Sequence, residues 1–118
     1  MEQADFPLLI TQGVSFIQPL YYFDENNNPI DLTGCSVHMQ ARQTVGADNP
    51  AVLDWSDGTG EITIDATAGC VLIAASASDT EDLELMTDGV YDVLLTFPGG
   101  MVEKILAGPI NIVGRVTR

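Results

Sequence analysis

The residues with chemical potential in this 118-residue chain are few and scattered. The acidic stretch Asp24-Glu25-Asn26-Asn27-Asn28 places Asp24, Asn26 and Asn28 at the first three ligand positions of an EF-hand loop. That pattern then fails, because Pro29 stands where the loop needs glycine and Cys35 where it needs a bidentate glutamate. A solvated turn accounts for the same residues. Asp54, Asp57 and Glu61 gather in a second acidic stretch around Gly58 and Gly60, where a tight turn serves as well as an ion. His38 is the chain's single histidine, and no G-x-S-x-G elbow supplies it with a nucleophile. The glycine-rich segments lack the Lys-Ser/Thr of a phosphate-binding loop. Cys35 and Cys70 are too few for a zinc site, which takes four ligands. Each follows a glycine and opens an apolar run, so both are expected to be buried, reduced and unpaired. No cofactor, metal centre or enzymatic activity is expected.

Charge narrows the classes of partner. Seventeen acidic residues face four basic ones, giving a net charge of −13. Nucleic-acid grooves are lined with Lys and Arg that displace counterions. Arg42, Lys104, Arg115 and Arg118 are all this chain has, so neither nucleic acid nor an anionic membrane is an expected partner. The excess charge keeps the protein soluble or steers it toward a basic partner. No apolar run reaches the ~20 residues that span a bilayer, and the opening MEQADF lacks a basic signal-peptide start, so a soluble intracellular product is expected.

The elements that would position these residues follow from period-2 alternation. Cys35, Val37, Met39 and Ala41 fall on one face of a strand; Ser36, His38, Gln40 and Arg42 fall on the other. Tyr91, Val93, Leu95 and Phe97 read as inward, opposite Asp92 and Thr96. Ile62 and Ile64 share a side, and the uniformly apolar CVLIAA reads as a central strand. Trp55 and most other aromatics are expected in the core. Pro98-Gly99-Gly100 reads as the tip of a long hairpin, whereas Gly108-Pro109 predicts a bulge or an edge position. Asn28 to Gly34 (NPIDLTG) reads as a corner: Ile30 and Leu32 tuck into the core end, while Asp31 and Thr33 bond nearby amides. One helix of a turn or two is predicted, capped by Ser78 with Glu81 as its capping-box partner, with Leu83 and Met86 turned inward. Together these predict a single all-β domain over 1–118: an antiparallel immunoglobulin-like β-sandwich of about seven or eight strands with one short helix.

The order of these pieces resembles a family of small tailed-bacteriophage virion proteins, the N-terminal β-sandwich of upper-baseplate and receptor-binding-attachment subunits. The matching residues are Tyr21-Tyr22-Phe23 leading into Pro29-Ile30-Asp31-Leu32-Thr33-Gly34, then Met39-Gln40-Ala41-Arg42. Gly60-Glu61-Ile62-Thr63-Ile64, Thr80 with Leu83, Gly89-Val90-Tyr91-Asp92-Val93, Gly108 and the closing Val116-Thr117-Arg118 complete the likeness. It implies a non-enzymatic structural protein of the virion, assembled in the host cytoplasm. Such a protein would dock on other virion proteins in the tail, baseplate or portal-proximal region, as a homo-oligomer or ring. A capsid decoration protein is the alternative within that class, and a carbohydrate- or cell-surface-binding β-sandwich the alternative outside it. Arg115, Val116, Thr117 and Arg118 are the candidate interface residues, since Arg115 and Arg118 are half of the Lys and Arg in the chain and an arginine can clamp a partner's carboxylate. The opening MEQADF is likewise expected to be held by a neighbour.

Overall fold

The computed structural model describes residues 6–44 and 51–117. Eight strands and one short helix follow in the order β1 (Leu8–Thr11), β2 (Phe16–Tyr21), β3 (Ser36–Arg42), β4 (Leu53–Ser56), β5 (Ile62–Asp65), β6 (Cys70–Ala75), α1 (Ala77–Glu81), β7 (Met86–Thr96) and β8 (Val102–Val113). A five-stranded sheet runs β1-β8-β7-β3-β4 and a three-stranded sheet runs β2-β6-β5, with CVLIAA at its centre as its composition predicts. The fold is all-β, but its larger sheet is mixed: β1 lies parallel to β8, with Leu8 opposite Ile110 and Thr11 opposite Val113. The expected wholly antiparallel pairing is therefore corrected. Alternation within one strand reports its faces and carries no information about the direction of its neighbour.

Both sheets contribute to one core. Val37, Met39 and Ala41 from β3 and Tyr91, Val93 and Leu95 from β7 meet Ile62, Val71, Ile73 and Ala75 from the smaller sheet. Trp55 of β4, 4% exposed, packs against Phe16 of β2 with ring centroids 6.3 Å apart. Tyr22 packs against Phe97 at 6.5 Å and donates its hydroxyl to the Glu103 carboxylate. Burial and that carboxylate push the phenol pKa up to about 12. The NPIDLTG segment is a corner as read. Leu32 is buried, Ile30 half-buried, and the Asp31 carboxylate accepts from the Thr33 amide (3.0 Å) and hydroxyl (2.6 Å). These bonds hold the Asp31 carboxyl below its ordinary pKa.

Three local expectations are revised. The helix is capped by Ser76 with Asp79 as the reciprocal partner, two residues earlier than predicted; it ends at Glu81, and Met86 is buried from β7 instead. Thr80 is the fully buried helical residue, its hydroxyl donating to the Val14 carbonyl at 2.9 Å. The strand β8 passes unbroken through Gly108-Pro109. Its register shifts instead near Ile105, and β7 shifts near Asp88, whose φ is 55°. Extra residues of this kind bend a sheet. Lastly, Cys35 and Cys70 are free but only half-buried, because in β6 it is Val71, Ile73 and Ala75 that face the core and Cys70 faces out.

Cys35 packs against the core, and burial together with the negative field of Asp31 raises its thiol pKa. Less thiolate is then present at pH 8 than in an unperturbed cysteine. In a Cys70→Ser variant, Cys35 is expected to alkylate at least about threefold more slowly than an unstructured cysteine peptide. An equal or faster rate would show that neither burial nor Asp31 governs that thiol.

Candidate interaction surfaces

The acidic clusters are spent on the fold. Asp24 accepts from the amides of Asn26 (2.8 Å) and Asn28 (3.0 Å), which closes the turn on itself. Asp57 accepts from the Val37 amide at 2.9 Å, and Glu61 accepts from Thr59, so the carboxylates of the second stretch point to different tasks. Asp54 pairs across β3–β4 with His38, whose Nε2 lies 2.6 Å from Oδ1, and with Gln40, which donates to Oδ2 at 3.0 Å. These bonds, aided by the field of Arg42, lower the Asp54 pKa. A carboxylate that orients an imidazole is half of a hydrolytic arrangement. Here both side chains are half in solvent, and Ser56, opposite His38, exchanges its hydrogen bonds with Thr59. Among the described residues the ring's hydrogen bond is to Asp54, and no hydroxyl or thiol is bonded to it. Among the described residues no three His, Cys, Asp or Glu side chains converge as a metal cage.

The outer face of the three-stranded sheet has a different character. The Tyr22 amide donates to Gly69, so even-numbered residues of β2 direct their backbone toward β6 and the odd-numbered ones toward the open edge. Side chains of those odd residues point outward: Ile17 beside Ala74, Pro19 beside Leu72 and Thr63, Tyr21 beside Cys70 and Asp65. Ile17 is 67% exposed and Tyr21 59%. Phe23, 43% exposed, extends the row and stacks on Tyr21 with centroids 6.2 Å apart and planes 11° from parallel. Asp65 and, opposite Ala74 at the start of β5, Glu61 are the charged residues of these rows, in a chain whose net charge is −13. Pro19 faces the open edge without an N–H, and Gln18 donates to its carbonyl (3.0 Å). An edge so blunted resists a further strand. A partner would meet this sheet by its face.

Most aromatics lie in or against the core as expected, Tyr22, Trp55 and Tyr91 buried and Phe16 and Phe97 packed on it; Tyr21 and Phe23 are exceptions. In the run Leu20-Tyr21-Tyr22-Phe23 four apolar residues succeed one another, so no alternation marks which side is wet. Tyr22 goes inside because Phe97 and Glu103 receive it.

The candidate C-terminal residues divide. Arg115 is tied to its own chain, Nη1 donating to the Gly13 carbonyl at 2.6 Å. Val116 is 99% exposed, and Thr117 is also exposed. Arg118 and, in the opening segment, residues 1–5 lie outside the described residues. No family model matches the chain, and no curated protein matches it in sequence.

Proposed function

We propose that the chain is a non-enzymatic structural subunit of a tailed-bacteriophage virion, an immunoglobulin-like β-sandwich that docks by its faces on other virion proteins of the tail, baseplate or portal-proximal region. The observation that carries this reading is the outer face of the three-stranded sheet, where the exposed apolar side chains of Ile17, Tyr21 and Phe23 lie in one row. Aligned apolar residues on an otherwise acidic surface are the composition of an interface core, from which charge is depleted. The resemblance of Tyr21-Tyr22-Phe23 and the NPIDLTG corner to baseplate subunits supplies the class of partner. A single contact of standard size covers ~1,200–2,000 Å², so several neighbours in a ring would cover most of so small a module.

The same stacked Tyr21–Phe23 pair favours a second reading, a carbohydrate- or cell-surface-binding sandwich, since exposed aromatic rings are platforms for sugars. One variant separates the two. A tagged copy supplied during infection by the phage that encodes the chain is expected in purified particles. Tyr21→Asp is expected to lower incorporation by at least about tenfold, the size of a lost interface anchor, with the melting temperature unchanged because the side chain is exposed. Absence of the wild-type chain from particles, or equal incorporation of the variant, would sink the virion reading. Glycan binding lost with Tyr21→Asp would establish the other.

A further inference from the structure

The bent outer face of the five-stranded sheet holds a groove of about 730 Å³, a volume in the range of specific binding sites. Along β7, Val90, Asp92 and Leu94 point into it, apolar, acidic and apolar at every second residue. Pro109 stands beside Val90 and Ala107 beside Asp92, small side chains that keep the floor low. Arg42 and Lys104 occupy opposite corners.

The C-terminal segment has the complementary pattern. Arg115 is fastened to Gly13, and beyond it Val116 stands 99% exposed, the most exposed large apolar residue described. Arg118 follows two positions later in the sequence. In an extended chain residues i and i+2 point to the same side, ~6.7 Å apart. That is also the separation of Val90 and Asp92 along β7. A valine and an arginine so spaced match a valine–proline floor and a carboxylate so spaced.

We infer that residues 116–118 of one copy lie along β7 in the groove of the next, with Val116 on Val90 and Pro109 and Arg118 on Asp92. Within one copy Arg118 does not reach Asp92. With Arg115 tied to Gly13, three residues are free and span at most ~10 Å, whereas Ala107, level with Asp92, lies six residues back from Val113 along β8, ~20 Å away. Tail and groove are different surfaces, so the contact is head-to-tail; it closes as a ring or grows as a filament according to the rotation per copy. It concerns the purified chain alone and stands apart from the virion reading.

Sedimentation of the full chain over a range of concentrations tests this. The wild type is expected to associate, and Val116→Asp and Arg118→Asp each to raise the midpoint concentration by about tenfold or more, the loss of one charge-assisted or well-packed contact. Asp92→Arg is expected to do the same, and the pair Arg118→Asp with Asp92→Arg to recover to within about threefold of the wild type, since a swapped pair restores the coupling. A wild type that stays monomeric to about 1 mM, the weakest affinity a specific contact of this kind would show, overturns the inference. So do tail variants that associate like the wild type, or a swapped pair no better than a folded Asp92→Arg. Should Asp92→Arg fail to fold, the two tail variants decide alone, because Val116 and Thr117 are exposed in the monomer.

Discussion

Gly69→Val is expected to remove about 2–5 kcal/mol of folding stability, combining a left-handed backbone penalty of roughly 1–2 kcal/mol with overpacking of roughly 1–3 kcal/mol. Gly69 ends the turn between β5 and β6 with φ at 61°. A Cβ there would stand 2.7 Å from the Tyr22 carbonyl oxygen and 3.1 Å from both the amide nitrogen and the carbonyl oxygen of Ile30. These neighbours are backbone and cannot swing aside as a side-chain tip does. They are also bonded to one another and to the glycine: Tyr22 donates to Gly69 at 2.7 Å, Ile30 donates to Tyr22 at 3.0 Å, and Leu32 donates to Ala66 at 3.1 Å. Displacing one loosens the corner that seats Leu32 in the core. Small domains hold only about 5–15 kcal/mol in total. A fall in melting temperature of about 10–20 °C is therefore expected. Gly60→Val is the control, with φ at 96° and open space around its Cβ, so it reports the backbone strain alone. A Gly69→Val melting temperature no lower than that of Gly60→Val would show that the close approach costs nothing.

What the sequence displays and what it hides divide along one physical line. Features governed by residues next to one another in the chain are readable. The alternation of Val37, Met39 and Ala41, the hairpin tip at Pro98-Gly99-Gly100 and the Asp31–Thr33 turn all arise from local geometry, and all three appear in the fold. Features that depend on a distant partner are not. His38 meets Asp54 across sixteen positions, and the groove is assembled from three strands whose pairing order no single strand encodes. The helix cap lies between these cases. Ser76 and Ser78 both precede acidic residues at the right interval, and the choice of Ser76 follows from Thr80, which must face Val14 to bury its hydroxyl. Arg115 shows the same limit, since its bond to Gly13 joins the two ends of the chain.

The parallel edge carries the second large prediction. Gly108→Val is expected to detach β1 while the rest of the domain stays folded. The Phe6 amide donates to the Ala107 carbonyl at 2.9 Å. A regular parallel ladder would next bring the amide of residue 109 to the Phe6 carbonyl, but residue 109 is proline and has no N–H. The Tyr91 hydroxyl donates to that carbonyl instead, at 2.5 Å. Tyr91 lies opposite Gly108 in the register, and the Phe6 backbone passes so close that a Cβ on Gly108 would stand 2.7 Å from its oxygen. Glycine, proline and tyrosine are thus one device that admits the chain to the edge of β8. A valine at 108 forces the Phe6 segment away, and with it go Leu8 and Ile10, 5% and 1% exposed, whose burial is worth roughly 1.5–3 kcal/mol each. A four-residue edge strand holding so few contacts opens before the core does. Hydrogen exchange should then lose protection at the Leu8 and Ile10 amides by a factor of about a hundred or more, consistent with that lost burial, while Met39 and Val93 stay protected. Tyr91→Phe is expected to act in the same direction at about 1 kcal/mol, the cost of a carbonyl left without its donor. Unchanged protection of Leu8 and Ile10 in both variants would mean that β1 is held by side-chain burial alone and that the hydroxyl contributes nothing.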